Sequence, residues 1–161
     1  FKYKNEERVQ MLTGKKAIVF GERDDISGTT VSNCLKAAGA EIVYEATACF
    51  VWTAAGAVGL TVQEEIKHLA EVHGAENLVI VFGINQPATI QITARTFQNG
   101  DPGFAGPLAG IGLNIESYHI LELQDHIPEE VWEKEMAMYE LEIEDEARET
   151  IFNIMEETRT S

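Results

Sequence analysis

Lys16-Ala17-Ile18-Val19-Phe20-Gly21, followed by Glu22-Arg23-Asp24-Asp25-Ile26-Ser27-Gly28, is the stretch that decides the fold. Its first six residues form a short apolar run with a glycine stop, which reads as a buried strand. The next seven are a polar loop. From about Thr29 to Ala38, Val31, Cys34, Leu35 and Ala38 recur at helical spacing and share one face. Gly39 supplies the left-handed residue that ends such a helix. Strand, loop and amphipathic helix in that order open a crossover unit of an α/β sheet.

Working outward, residues 41–44 read as a second strand. Thr61-Val62-Gln63-Glu64 has the form of a capping box, and Val62, Ile66, Leu69 and His73 follow on one stripe up to Gly74. Asn77-Leu78-Val79-Ile80-Val81-Phe82-Gly83 is apolar enough for a central parallel strand. Asn85 is expected to cap a helix reaching about Gln98, with Ile90, Ala94 and Phe97 inward. Residues 99–112 are rich in Gly and Pro, which excludes helix and strand alike. They are either a pocket wall offering backbone N–H groups or a rigid packing turn.

Residues 117–123 read as a fourth strand. After Pro128 a single long helix is expected from Glu129 to Glu157, with Trp132, Met136, Tyr139, Ile143, Ala147, Ile151 and Ile154 toward the core. Met138 and Leu141 fall beside that stripe, as a docking edge. The fold expected is α/β: one three-layer domain over 14–158, with a mainly parallel sheet of about four to five strands, Rossmann-like or flavodoxin-like. Residues 1–13 form a polar N-terminal tail. Ligands of such sheets bind at the carboxyl ends of the strands, so the loops after strands 1, 2 and 3 share one edge. Strand order does not follow from the sequence.

The 161 residues carry 27 acidic and 12 basic side chains, a net charge of -15. Such a surface repels nucleic acid and anionic lipid and leaves proteins and small molecules as partners. No apolar run approaches the ~20 residues of a membrane helix, and no secretory leader is seen. The expectation is a cytoplasmic protein whose two cysteines are not a disulfide framework. The four histidines lack zinc spacing, so neither metal nor other cofactor is expected. Cys34 lies on a helix stripe and reads as a buried structural thiol.

The chemistry candidate is Thr47-Ala48-Cys49-Phe50-Val51-Trp52-Thr53-Ala54-Ala55-Gly56-Ala57. Cys49 follows a strand, where redox proteins place a reactive thiol. Three residues on stands Trp52, which is neither a nucleophile nor a disulfide partner, and which alone reads as a packing anchor. Other readings fail. Gly21 to Gly28 is not a dinucleotide fingerprint, and Asp24 and Asp25 would repel a pyrophosphate. A phospho-receiver domain needs an Asp after strand 3, where this chain has Gly83-Ile84-Asn85.

The Cys49 stretch closely resembles component A of the glycine reductase complex, the selenoprotein A family. So do Gly21-Glu22-Arg23-Asp24 and Gly100-Asp101-Pro102-Gly103-Phe104-Ala105-Gly106-Pro107-Leu108-Ala109-Gly110, and the resemblance runs from about Gly14 to the acidic C-terminal helix. In that family the turn reads Cys-Phe-Val-selenocysteine-Thr-Ala-Ala-Gly-Ala, so Trp52 occupies the selenocysteine position. Selenocysteine is encoded by UGA and tryptophan by UGG.

The resemblance implies a carrier. A component B specific for glycine, sarcosine or betaine activates the substrate, and its carboxymethyl group passes to selenium at position 52. Cys49 then forms a selenide–sulfide with that selenium, and an acetyl-level fragment goes to component C, which yields acetyl phosphate. Thioredoxin reduces the oxidised pair. The catalytic positions implied are Cys49 and Trp52. Phe50, Val51, Thr53, Arg23, Phe104 and Gly106 are implied to line the pocket or dock partners, with Ala54 and Val58 beside them. The competing reading is a non-catalytic α/β binding module.

Overall fold

A computed structural model describes residues 12–48, 58–103 and 106–160. Four strands form one sheet: β1 (Lys16–Glu22), β2 (Glu41–Ala48), β3 (Leu78–Phe82) and β4 (Glu116–His119). Their order is β2-β1-β3-β4, and every pairing is parallel. That is the flavodoxin-like order, in which the chain reverses its direction of travel at the β1/β3 boundary.

Five α-helices accompany the sheet among the described residues: α1 (Gly28–Ala37), α2 (Leu60–His73), α3 (Pro87–Asn99), α4 (Glu129–Glu142) and α5 (Asp145–Thr160). The β1-to-β2 crossover runs opposite to the next two, so right-handed connections put α1 on one face and α2 and α3 on the other. α4 packs on α1, whereas α5 packs on α3 and β4. The C-terminal pair is thus divided between the two faces, completing three layers.

β1 and β3 are buried on both sides, which explains their unbroken apolar character. Phe20 is stacked on Phe82 and Phe97, with ring centroids 6.0 Å and 5.7 Å away, and meets Tyr44 edge-on at 5.8 Å. Each such ring removed from water is worth about 1.5–3 kcal/mol. β2 is the exposed edge. On its outer side Ser32 of α1 hydrogen-bonds the Glu45 carboxylate, and Gly28 N donates to Thr47 Oγ1 at 2.9 Å. A Cβ at Gly28 would lie 2.8 Å from that same oxygen, so the close approach of the first turn of α1 to Thr47 requires a glycine there.

Several expectations are corrected. β2 is twice the expected length and ends at Ala48, directly before Cys49. α2 starts at Leu60 with Gly59 as N-cap and no side-chain cap bond, so Thr61 and Glu64 form no capping box. Asn85 does not cap α3; Gln86 occupies that position, and Pro87 opens the helix. The fourth strand stops at His119, where a 3-10 helix (Ile120–His126) takes over. His119 Nδ1 accepts from Leu121 N at 3.1 Å, and Glu122 Oε1 accepts from His119 N at 2.9 Å. Those two bonds divert the backbone into helical geometry despite its β-like composition.

The long C-terminal helix is two helices. Ile143 is extended at the end of α4, and α5 restarts at Asp145. Its buried face is Ile151, Met155 and Thr158, and Ala147 is exposed. Arg159, in its last turn, clamps Glu122 with bonds of 3.0 Å and 2.6 Å. It also donates to Ser117 O at 3.1 Å and lies 4.5 Å over the Tyr118 ring.

Candidate functional site

The carboxyl edge of the sheet is built from backbone cross-ties between strand ends. Arg23 N donates to Ala48 O at 2.9 Å, which fixes the loop after β1 to the end of β2. Ile26 N donates to Gly83 O at 3.0 Å and Gly83 N to Phe20 O at 2.8 Å, which fixes the same loop to the end of β3. The loop after β1 thus meets the ends of β2 and β3 on one edge; the segment after β2, which the expectation also placed there, lies outside the described residues.

Asp25 lies at the β1/β3 boundary. Its Oδ2 accepts from Asn85 N at 2.8 Å and from Gln86 Nε2 at 3.4 Å. Burial raises its pKa above the usual carboxylate range, the Asn85 and Gln86 donors oppose the shift, and neighbouring Asp24 adds to it. Behind it, His119 is fully buried, with Nε2 3.1 Å from Ile84 O and 3.0 Å from Asn85 Oδ1. Since Nδ1 accepts from Leu121 N, the proton is on Nε2 and the ring is neutral. Burial depresses its pKa to about 3. It is a satisfied internal histidine, and among the described residues no cluster of His, Cys, Asp and Glu could hold a metal.

Glu22, the last residue of β1, was not singled out by sequence. It is 6% exposed. Its Oε2 accepts from Asp24 N at 3.0 Å, and its Oε1 is buried without a partner among the described residues. It pairs in register with Ala48, the residue before Cys49. Strand alternation carried the signal: Glu22 follows Ile18 and Phe20 on the same face of a buried strand.

The described residues of the Gly- and Pro-rich segment after α3, 99–103 and 106–112, are held by hydrogen bonds to Gln63 and within the segment. Asp101, 5% exposed, receives Gln63 Nε2 at 2.6 Å and Gly103 N at 2.6 Å. Gln63 also donates to Val58 O at 2.9 Å and accepts from Leu108 N at 3.4 Å, and Asp101 N donates to Leu108 O at 3.0 Å. Of its two open readings, the rigid turn is the one these bonds favour. Gln63 was read only as part of a capping box. Its full burial has no signature in a residue type that is mostly exposed.

Of the expected site residues, Arg23 and Gly106 are described. The Arg23 side chain extends into solvent, 3.7 Å from Asp24, while its backbone joins β1 to β2. Gly106 faces α2; a Cβ there would lie 2.5 Å from Gln63 Oε1 and 2.9 Å from Leu60 Cδ2. Val58, grouped with the docking residues, is 2% exposed and belongs to the core. Cys49, Phe50, Val51, Trp52, Thr53, Ala54 and Phe104 lie outside the described residues. Cys34 is buried in the core, which pushes its thiol up to about 12, with Glu135 adding to the shift, so it is no nucleophile. Met138 and Leu141, at 75% and 88% exposure, are open to solvent on α4.

The fold defines a class: a flavodoxin-like α/β protein with a four-stranded parallel sheet, in which the described part of β2 ends at Ala48, the residue before Cys49 in the sequence. Comparison with known proteins supplies the family. Residues 12–159 match the family described as glycine reductase complex selenoprotein A. Component A of the glycine/sarcosine/betaine reductase complex from Alkaliphilus metalliredigens is 44% identical over 86% of this chain and 89% of its own length. The component A protein of Carboxydothermus hydrogenoformans is 45% identical over 85% and 89%. Component A1 of Peptoclostridium acidaminophilum is 42% identical over 83% and 85%. No solved structure matches. The chain belongs to the glycine reductase complex selenoprotein A family. Among the described residues no helix is long and apolar enough to cross a membrane.

Proposed function

We propose that this chain is component A of a glycine/sarcosine/betaine reductase complex and that position 52 carries the reacting group when it is selenocysteine. A selenol is more acidic than a thiol, whose pKa is about 8.5, so it is ionised at neutral pH and nucleophilic without a base. It takes the carboxymethyl group from component B. The selenium-bound carboxymethyl group, the Cys49 thiol, a thiol of component C and one proton then give a selenide–sulfide, an acetyl thioester on component C and water. The selenium–sulfur pair is oxidised by two electrons and the two-carbon fragment is reduced by two. Component C forms acetyl phosphate, and thioredoxin restores the selenol and thiol in the cytoplasm.

The observation that carries this reading is the end of β2 at Ala48, tied to the loop after β1. Cys49 follows Ala48 directly in the sequence, and Ala48 stands at the carboxyl edge, where parallel sheets hold ligands. Phe50, Val51, Thr53, Phe104, Arg23 and Gly106 are assigned to the pocket and to partner docking. With Trp52 the chain has no group for the displacement and does not turn over. Trp52→Sec restores carboxymethylation, and Trp52→Cys gives a weak thiol version. Mass spectrometry after incubation with component B and substrate reads both. A carboxymethyl adduct on the Trp52 form at a site other than Cys49 sinks the assignment.

A second reading rests on Trp52 itself and on exposed Met138 and Leu141: a non-catalytic binding module. The codon at position 52 of the native gene separates them, UGA supporting the carrier and UGG the module.

A further inference from the structure

A surface helix turns its apolar side toward the core and leaves polar side chains outside. α4 meets the first condition. Trp132 and Met136 are buried, and Glu135 accepts from Asn33 of α1 at 3.3 Å, so the helix is already seated on the domain. Its outer side departs from the second. Lys134, Ala137, Met138 and Leu141 recur at i, i+3, i+4 and i+7, so they form one stripe, and all four are exposed. Met138 at 75% and Leu141 at 88% are the most exposed large apolar side chains among the described residues. Lone apolar residues at a surface are ordinary, but these two stand one turn apart on the same stripe, with Ala137 beside them.

The charge around the stripe narrows what can cover it. Glu129, Glu130, Glu133 and Glu142 are exposed on α4, and none is ion-paired with a described basic side chain. Against them stands Lys134 as the one cation of the helix. At the start of α4, Asp125, Glu129 and Glu133 join Trp132 in lining a groove of about 440 Å³. Carboxylates beside an indole suit a guanidinium or ammonium group. A second copy of this chain would bring the same acidic face and the same net charge of -15, and nucleic acid and anionic lipid are repelled as well. A protein surface with lysine or arginine beside apolar side chains is attracted by the carboxylates and buries the stripe.

We propose that the outer face of α4 docks a different protein subunit of the reductase complex, through a segment of that subunit with basic residues around an apolar centre; the inference rests on the component A reading above. A lysine or arginine of the partner enters the groove beside Trp132, against Glu129 and Glu133. Met138 and Leu141 pack among the partner's apolar side chains, which takes them out of water. Glu135 and Glu140 take no part, because Asn33 and Arg148 hold them within the chain. The carboxylates steer the encounter, and the apolar pair sets how long the complex lasts. The surface is built wholly from described residues of α4 and of the 3-10 helix before it.

Biolayer interferometry with the Trp52 chain immobilised, and with purified component B or component C as the probe, tests the surface. At least one of the two binds the parent, and its affinity falls by about fivefold or more as salt rises from about 50 to about 200 mM. Met138→Ser combined with Leu141→Ser weakens that binding by about tenfold or more, mainly through faster dissociation. Its melting temperature stays within about 2 °C of the parent, since exposed side chains add little to the fold. Glu129→Gln combined with Glu133→Gln weakens binding by about threefold or more and flattens its salt dependence through slower association. Parent affinity in the Met138 and Leu141 double variant overturns the docking surface and leaves the component A reading standing. Loss of binding together with a lowered melting temperature also overturns it, because the face would then be structural. So does dimerisation of the parent in sedimentation velocity that the double variant abolishes, which would assign the face to a second copy. Binding of neither component to the parent overturns the component A reading, and this inference with it.

Discussion

Replacing Gln63 by Ala tests whether the Gly- and Pro-rich turn is held by one buried side chain. Gln63 is fully buried, donates to Val58 O and to the Asp101 carboxylate at 2.6 Å, and accepts from Leu108 N. Alanine leaves Asp101 with Gly103 N as its remaining donor and orphans Val58 O. A hydrogen bond to a charged group contributes about 1.5–3 kcal/mol, and an unmet buried neutral group costs about 1–3 kcal/mol. Water entering the cavity offsets part of this, so the expected loss is about 3 kcal/mol. For a chain of this size that corresponds to a fall in Tm of roughly 6–12 °C. Urea unfolding followed by circular dichroism measures it. A double-mutant cycle with Asp101→Asn should give a coupling above about 1 kcal/mol, because the two side chains touch. A Gln63→Ala protein within about 0.5 kcal/mol of the parent would refute the assignment of the turn's rigidity to this network.

Two further outcomes follow from buried charges. His119 has its pKa lowered to about 3 by burial, against about 6.5 in the unfolded chain, so the unfolded state binds the extra proton. The stability it contributes is complete above pH 6.5 and is lost as the pH falls toward 3. Urea unfolding at pH 5 should therefore show about 2 kcal/mol less stability from this group than at pH 7, and a His119→Gln variant should lack that share of the slope. Arg159→Ala removes a two-bond ion pair to Glu122, whose side chains are 22% and 14% exposed, together with the contact over Tyr118. The expected cost is about 2–4 kcal/mol by denaturant unfolding; Arg159→Lys recovers less than half, since an ammonium cannot make the paired bonds.

What could be read from sequence was whatever rested on a repeating pattern. α1 is visible in Val31, Cys34 and Leu35, and β3 in a run that is buried at every position. Patterns failed where one polar contact overrules them. Apolar residues continue at helical spacing from Trp132 to Ile154, so nothing in that periodicity marks the break after Glu142. The β-like composition of 117–123 hides the bonds that His119 and Glu122 make to end β4. Strand order was invisible because every parallel connection in this chain looks alike locally. At the candidate site, spacing alone presented Cys49 beside an unreactive Trp52, and only the family resemblance gave that position a chemistry. Glu22 and Gln63, the buried polar groups nearest that edge in sequence and bonding, belong to residue types whose burial depends on tertiary neighbours.

The cross-ties at the sheet's carboxyl edge bear on how the protein relates to the decoding of its own gene. The segment 49–57 leaves from Ala48, whose carbonyl is held by Arg23 N, and returns at Val58, whose carbonyl is held by Gln63. Both ends are anchored by groups outside the segment. The entropy of closing such a loop depends on its length and its end points, not on the identity of one side chain within it. Neither anchor therefore depends on which residue stands at position 52. Under the carrier function proposed above, tryptophan at position 52 removes the reacting group while both anchors stay in place.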